Sequence, residues 1–115
     1  MPATVKTTTE LLATANAAFI AADEHAAPTG RLTRLGFTRA QKACEDAGNL
    51  VGKIRLLAEM EEVATVRPDS IIAGHIGTAR TSVEWAMTHC LTSGQPRTEC
   101  RACDHSAAQI AALAS

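Results

Sequence analysis

The residues best suited to chemistry are cysteines and histidines gathered in one short stretch of the chain. His89 and Cys90 are adjacent, Cys100 follows after nine residues, Cys103 after two more, and His105 after one more. Thiolate and imidazole groups are ligands that Zn²⁺ favours, and a structural zinc site uses four of them. The spacing therefore predicts a structural zinc site built from Cys90, Cys100 and Cys103 with either His105 or His89.

Two other interpretations of the same cysteines stay open. Cys90 could be a small buried hydrophobic residue, with Cys100 and Cys103 as reduced loop thiols. Alternatively, a C-x-x-C pair just before a helix can lower a thiol pKa and form a reversible disulfide, which would make the chain a small redox protein. Thioredoxin-like proteins place such a pair near a βαβ pattern. This sequence has no strand pattern longer than a few residues.

Four helices are expected to position these residues. A Ser or Thr followed three residues later by Glu or Gln is typical of a capping box, which marks a helix start. Such pairs are Thr7 with Glu10, Thr38 with Gln41, and Ser106 with Gln109, and Asp69 after Pro68 is a further start signal. The predicted helices span residues 8–26, 39–64, 70–92 and 107–114. The predicted fold is all-α, a single domain over residues 1–115, with three long helices in a small antiparallel bundle plus a short C-terminal helix.

The second predicted helix has the clearest pattern of apolar residues, at spacings of three and four. Its charged residues, Asp46 among them, are expected on the opposite, solvent-facing side. Cys44 falls on the apolar side and is interpreted as a core residue. Gly48 and Gly52 lie inside this helix, where each costs about 1 kcal/mol relative to Ala. They are expected to permit a close helix crossing or to mark a bend.

The third predicted helix carries a second stripe beside its apolar face. His75, Ser82 and Trp85 lie along it at helical spacing, and tryptophan is enriched in protein interfaces. These residues could therefore bind a protein partner. Alternatively, Trp85 packs beneath a neighbouring helix and the histidines form hydrogen bonds at its edge.

The charge balance argues against a general electrostatic attraction to nucleic acid or to an anionic membrane. There are 11 basic and 12 acidic residues, and the formal net charge is −1. One segment is locally basic, however, because Arg31, Arg34, Arg39 and Lys42 occur without an intervening acid. A nucleic-acid-binding regulator that uses these four residues is the alternative function. A solvated basic loop would have the same composition.

The amino-acid composition also indicates what kind of protein to expect. Alanine dominates the apolar residues, and the aromatic residues are only one Trp and two Phe. A core built from small side chains buries little area, so a metal or a partner chain would help to hold it. No apolar run reaches the roughly 20 residues that span a bilayer, and no nucleophile–base pair stands out. The sequence predicts a small cytoplasmic binding or regulatory protein without catalytic activity, which contacts a protein partner or a second copy of itself.

Overall fold

The structure is all-α over the residues that it describes. A computed structural model describes residues 6–29 and 37–108. The α-helices in these ranges are α1 (Thr8–Ala26), α2 (Arg39–Val66), α3 (Ile71–Gly74) and α4 (Ile76–Thr88), and a 3-10 turn at Ala27–Thr29 follows α1. Within the same ranges there is no β-strand, and no helix is long and apolar enough to cross a membrane. The predicted all-α class is therefore confirmed.

The capping signals in the sequence mark the first residues of both long helices. The Thr7 hydroxyl accepts a hydrogen bond from the Glu10 backbone N–H at 3.2 Å, so α1 begins directly after it. At the start of α2 the capping box is complete. The Thr38 hydroxyl accepts from the Gln41 N–H, and the Gln41 side chain accepts from the Thr38 N–H. These bonds satisfy N–H groups that have no partner inside a helix.

Helices α1 and α2 run antiparallel and approach closely. Phe19 of α1 faces Gly48 of α2, whereas Asp23, one turn later in α1, faces Cys44, one turn earlier in α2. A Cβ atom at Gly48 would lie 3.3 Å from Phe19 Cε1, so this glycine makes room for the ring. A Cβ at Gly52 would meet no atom of the described residues within 4 Å. Of the two glycines, only Gly48 therefore serves the helix contact.

Helix α2 is the central element, because α4 packs on it as well. Lys53 donates a hydrogen bond to Ser82 at 2.8 Å, and Arg80 forms an ion pair with Glu61 at 2.8 Å. Ser82, the later of the two α4 residues, contacts Lys53, the earlier of the two α2 residues. Helices α2 and α4 are therefore also antiparallel. The buried core joins three helices through small and aliphatic side chains, which are Ala15, Ala18, Ala22, Ala47, Leu50, Val51, Ile54, Leu57, Val83, Ala86 and Met87.

The prediction of one continuous third helix over residues 70–92 is wrong. The helix is interrupted at His75, where α3 ends after four residues and α4 begins, and α4 ends at Thr88. Gly74 and Gly77 flank the interruption, and a glycine inside a helix costs about 1 kcal/mol relative to alanine. The apolar pattern continues across this point, which is why periodicity alone predicted an unbroken helix.

Two further start signals need correction. The residue that caps α3 is Ser70, whose hydroxyl accepts from the Ala73 N–H at 3.2 Å, rather than the predicted Asp69. Near the C-terminus, the described residues 106–108 are not helical. The remainder of the predicted fourth helix, including Gln109, lies outside the described residues.

Candidate metal centre

A tight loop returns the chain to the end of α4. The Cys90 N–H donates to the Gln95 carbonyl at 2.8 Å, and the Gly94 N–H donates to the Cys90 carbonyl at 2.8 Å. Gly94 has a φ of 78°, a conformation that glycine adopts without steric cost. The Arg97 N–H then donates to the Thr88 carbonyl at 3.0 Å. These bonds fix Cys90 at the base of the loop, two residues beyond α4.

The following segment is docked on the ends of α1 and α2. The Asp104 N–H donates to the Arg39 carbonyl at 2.9 Å, and Arg39 Nε donates to the Arg101 carbonyl at 3.0 Å. His25 at the end of α1 donates to the Asp104 carboxylate at 2.9 Å. Hydrogen bonds from His25 and then Ser106 lower the pKa of the Asp104 carboxyl. Contacts with both α1 and α2 therefore hold the chain around Cys103 and His105 against this helix pair.

These two segments bring Cys90, Cys100, Cys103 and His105 together. One ligand atom from each residue can be chosen so that all four lie within 4.8 Å of one another. The Cys90 and Cys103 sulfurs are 3.8 Å apart. Two sulfurs at about 2.3 Å from one tetrahedral ion would be separated by about 3.8 Å. All four cysteines of the chain are free thiols, so the cluster could hold a metal ion such as zinc.

His105 has an environment that suits a ligand. The residue is buried, and neither ring nitrogen has a hydrogen-bond partner among residues 6–29 and 37–108. Burial lowers the pKa of His105, and the nearby Asp46 carboxylate only partly opposes this effect. The imidazole is therefore neutral at pH 7, which leaves one nitrogen with a lone pair. Buried polar atoms without partners are rare and costly, and binding a metal would satisfy one of the two.

Cys100 and Cys103 differ in the environment of their thiols. Burial acts to raise the pKa of Cys100, but hydrogen bonds from the Ser93 hydroxyl and from the Cys103 and Ala102 N–H groups outweigh it and lower that pKa. The N–H groups of the C-x-x-C turn thus point at the Cys100 sulfur. The pKa of Cys103 is raised by burial and then by the neighbouring Cys90. Two neighbouring thiols do not readily ionise at the same time, because the two negative charges repel each other. A cation bound between them offsets this repulsion.

The structure does not bring His89 into the cluster. Its ring stacks on Trp85, with the centroids 4.5 Å apart and the planes at 11°. Its Nδ1 lies 2.9 Å from the Thr88 hydroxyl and 3.1 Å from the Trp85 carbonyl. Of the two histidines predicted as alternatives, His105 is the one that lies beside the cysteines.

Sequence reasoning missed the buried ion pair that lies behind the cluster. Asp46 is fully buried, which corrects the expectation that it faces solvent. Its carboxylate accepts two hydrogen bonds from Arg97 and one from the Leu91 N–H. Asp46 follows Ala43 by three residues and precedes Leu50 by four, so helical periodicity already placed it in the buried stripe. Because Asp46 is charged, it was expected at the surface despite this spacing.

The predicted partner-binding residues lie on the α4 side of the molecule. His75 and Ser82 line a groove of about 310 Å³ between α2 and the α3–α4 interruption, together with Leu56 and Met60. Trp85 is outside the groove lining and is 45% exposed, so it does not pack beneath another helix.

The predicted nucleic-acid-binding residues are only partly described. Arg31 and Arg34 lie outside the described residues. Arg39 is exposed but donates to the Arg101 carbonyl, and Lys42 is half-buried on α2. Cys44, also on α2, is half-buried beside Asp23, and burial followed by the Asp23 charge raises its pKa.

Comparison of the chain with protein-family models, with curated proteins and with solved structures gave no match. The functional argument consequently rests on the geometry of the chain itself.

Proposed function

We propose that this chain is a small binding or regulatory protein without catalytic activity, in which one zinc ion holds the segment after α4 to the rest of the fold. The ligands would be Cys90, Cys100, Cys103 and His105. Four protein ligands leave no open position for substrate or water, and closed sites of this kind are structural. Free thiols at the cysteines suit a reducing compartment, so we place the protein in the cytoplasm.

One observation carries the proposal. His105 is buried, and neither ring nitrogen has a hydrogen-bond partner in the part of the chain that the structure describes. It lies beside two sulfurs whose separation suits one tetrahedral ion. The core provides an energetic reason. The buried residues of α1 are all alanines, so the helix contacts bury modest apolar area, and a metal would stabilise the irregular segment that joins them.

Metal analysis of the full chain, purified without a polyhistidine tag, tests the proposal. We expect about one equivalent of zinc per chain for the wild type, by elemental mass spectrometry. Cys103→Ser should lose the metal, whereas the matched control Cys44→Ser should retain it because Cys44 lies outside the cluster. Less than about a tenth of an equivalent in a folded wild-type protein would contradict the zinc proposal.

We also propose that the chain works through protein contacts at the groove between α2 and α4, and that a second copy of the chain is the partner. Leu56 is 58% exposed and lines the groove with Leu57, Met60 and Ala79. An apolar lining that is open to solvent is typical of an interaction surface.

Sedimentation equilibrium at about 100 μM chain tests the second copy as partner. We expect a dimer for the wild type and a monomer for Leu56→Glu, whose charge would have to be buried in the interface. Ile20→Glu is the matched control, because Ile20 is 59% exposed on α1 and does not line the groove. A monomeric wild type contradicts self-association.

A further inference from the structure

The carboxylate of Asp46 faces the ring of the candidate ligand His105. Asp46 Oδ2 lies 3.8 Å from His105 Nδ1, which is too long for a hydrogen bond. Both residues are buried. Asp46 comes from α2, whereas all four candidate ligands come from residues 90–105. The proximity of Asp46 to His105 therefore links the cluster to the central helix, α2.

The other partners of Asp46 leave one acceptor position open, and it is on the oxygen that faces His105. A carboxylate offers about two acceptor positions on each oxygen. Oδ1 accepts from Arg97 Nη2 at 3.1 Å and from the Leu91 N–H at 2.7 Å. Among the described residues, Oδ2 accepts a hydrogen bond only from Arg97 Nε, at 2.8 Å. Oδ2 can therefore accept one more hydrogen bond.

A histidine that binds a metal through one nitrogen usually donates the N–H of the other nitrogen to a carboxylate or a carbonyl. That second bond fixes the tautomer and the orientation of the ring. Nδ1 of His105 faces the open acceptor position on Asp46, and it has no hydrogen-bond partner within the described residues. A ring movement of less than about 1 Å would bring it within hydrogen-bond distance of Asp46.

We propose that Asp46 is a positioning residue for the metal centre: its carboxylate accepts a hydrogen bond from the Nδ1–H group of His105, so that His105 binds the metal through Nε2. This proposal rests on the zinc site proposed above and adds to it the identity of the binding nitrogen. Arg97 has a supporting role, because it holds the Asp46 carboxylate in place through two hydrogen bonds.

Nitrogen-15 NMR of the full chain loaded with zinc tests the tautomer directly. Long-range proton–nitrogen spectra distinguish a protonated ring nitrogen from a metal-bound one. We expect His105 Nδ1 to carry the proton and Nε2 to be metal-bound, with scalar coupling from ¹¹³Cd to the ring when cadmium replaces zinc. A metal-bound Nδ1 with a protonated Nε2 overturns the proposal and leaves the zinc site intact. If the chain binds neither zinc nor cadmium, the proposed zinc site and the proposed role of Asp46 are both wrong.

A pair of variants tests the role of the carboxylate. Asp46→Asn keeps the size of the side chain but removes its charge, and we expect zinc affinity to fall about 10- to 100-fold in competition with a chelator. Glu45→Gln is the matched control, since Glu45 adjoins Asp46 in α2 but is exposed. The control should stay within about threefold of wild type. Equal affinities for the two variants overturn the proposal. If Asp46→Asn does not fold, the NMR measurement on the wild type decides.

Discussion

Asp46 and Arg97 form an ion pair that is almost completely shielded from water, although 51 residues separate them in the chain. Arg97 Nε and Nη2 donate to the two carboxylate oxygens of Asp46, and Nη1 donates to the Ala86 carbonyl at 2.7 Å. The guanidinium thus joins α2, the last turns of α4 and the loop that carries the cysteines. Every polar atom that this arginine brings into the interior needs such a partner.

Arg97→Met should lower the free energy of unfolding of the zinc-loaded protein by about 3–5 kcal/mol, because it leaves the Asp46 carboxylate buried without its counter-charge. Arg80→Met is the matched control. Arg80 pairs with Glu61 at the same 2.8 Å distance but is half exposed, and exposed pairs contribute about 1 kcal/mol or less. Urea denaturation measures both. Equal losses would show that burial of the Arg97 pair has no energetic consequence.

The two glycines of α2 provide a test of the helix contact. Gly52→Ala should stabilise the protein by about 0.5–1 kcal/mol, since alanine is the better helix former and its methyl group meets no neighbour in the described ranges. At Gly48 the new methyl would press on the Phe19 ring. Gly48→Ala should therefore be at least about 1 kcal/mol less stable than Gly52→Ala. Thermal or urea denaturation compares them, and equal stabilities would contradict the close approach.

Removal of zinc should loosen the segment after α4 more than the helix pair. A ligand present at about 1,000 times its dissociation constant stabilises the folded state by about 4 kcal/mol. On adding a chelator, hydrogen exchange measured by mass spectrometry should speed up in residues 89–105. Peptides from the centres of α1 and α2 should change less, because their contacts involve none of the ligands. Uniform acceleration across the chain would contradict a local role for the metal.

Cys44 should react with alkylating agents more slowly than an ordinary exposed cysteine, although it lies outside the metal cluster. Burial and then the Asp23 carboxylate raise its pKa above the ordinary 9.0. A raised thiol pKa means less thiolate at pH 8, and the thiolate is the reactive form. Asp23→Asn should speed the reaction of Cys44 with iodoacetamide severalfold and shift its pH profile downward. Glu24→Gln, the neighbouring exposed carboxyl, is the control, and an equal effect of both variants would rule out the local contact.

Much of the helix pair could be predicted from the sequence, because its signals are local. The capping residues Thr7 and Thr38 and the apolar spacing in α2 each act within a few positions of the chain. The interruption at His75 was not predicted, because two opposing local signals overlap there. The apolar pattern favours one helix, and Gly74 and Gly77 weaken it.

The candidate site was predictable to a similar extent. Cys90, Cys100, Cys103 and His105 lie in one stretch, so spacing alone could propose the group. The choice between His105 and His89 depends on the path of a loop without regular structure. The Asp46–Arg97 pair had no local signal at Arg97, which belongs to a polar loop. Pairing across so many residues is a property of the tertiary fold.

The order of the elements along the chain has a consequence for biosynthesis. The candidate ligands all follow α1 and α2, so the ribosome completes the antiparallel helix pair before it makes the first cysteine of the cluster. Chains fold as they emerge, N-terminal parts first. Metal capture would then follow the formation of the helix pair. In a cell short of zinc, newly made chains would have a formed helix pair, but no metal would hold the segment after α4. Proteases and chaperones would encounter this form.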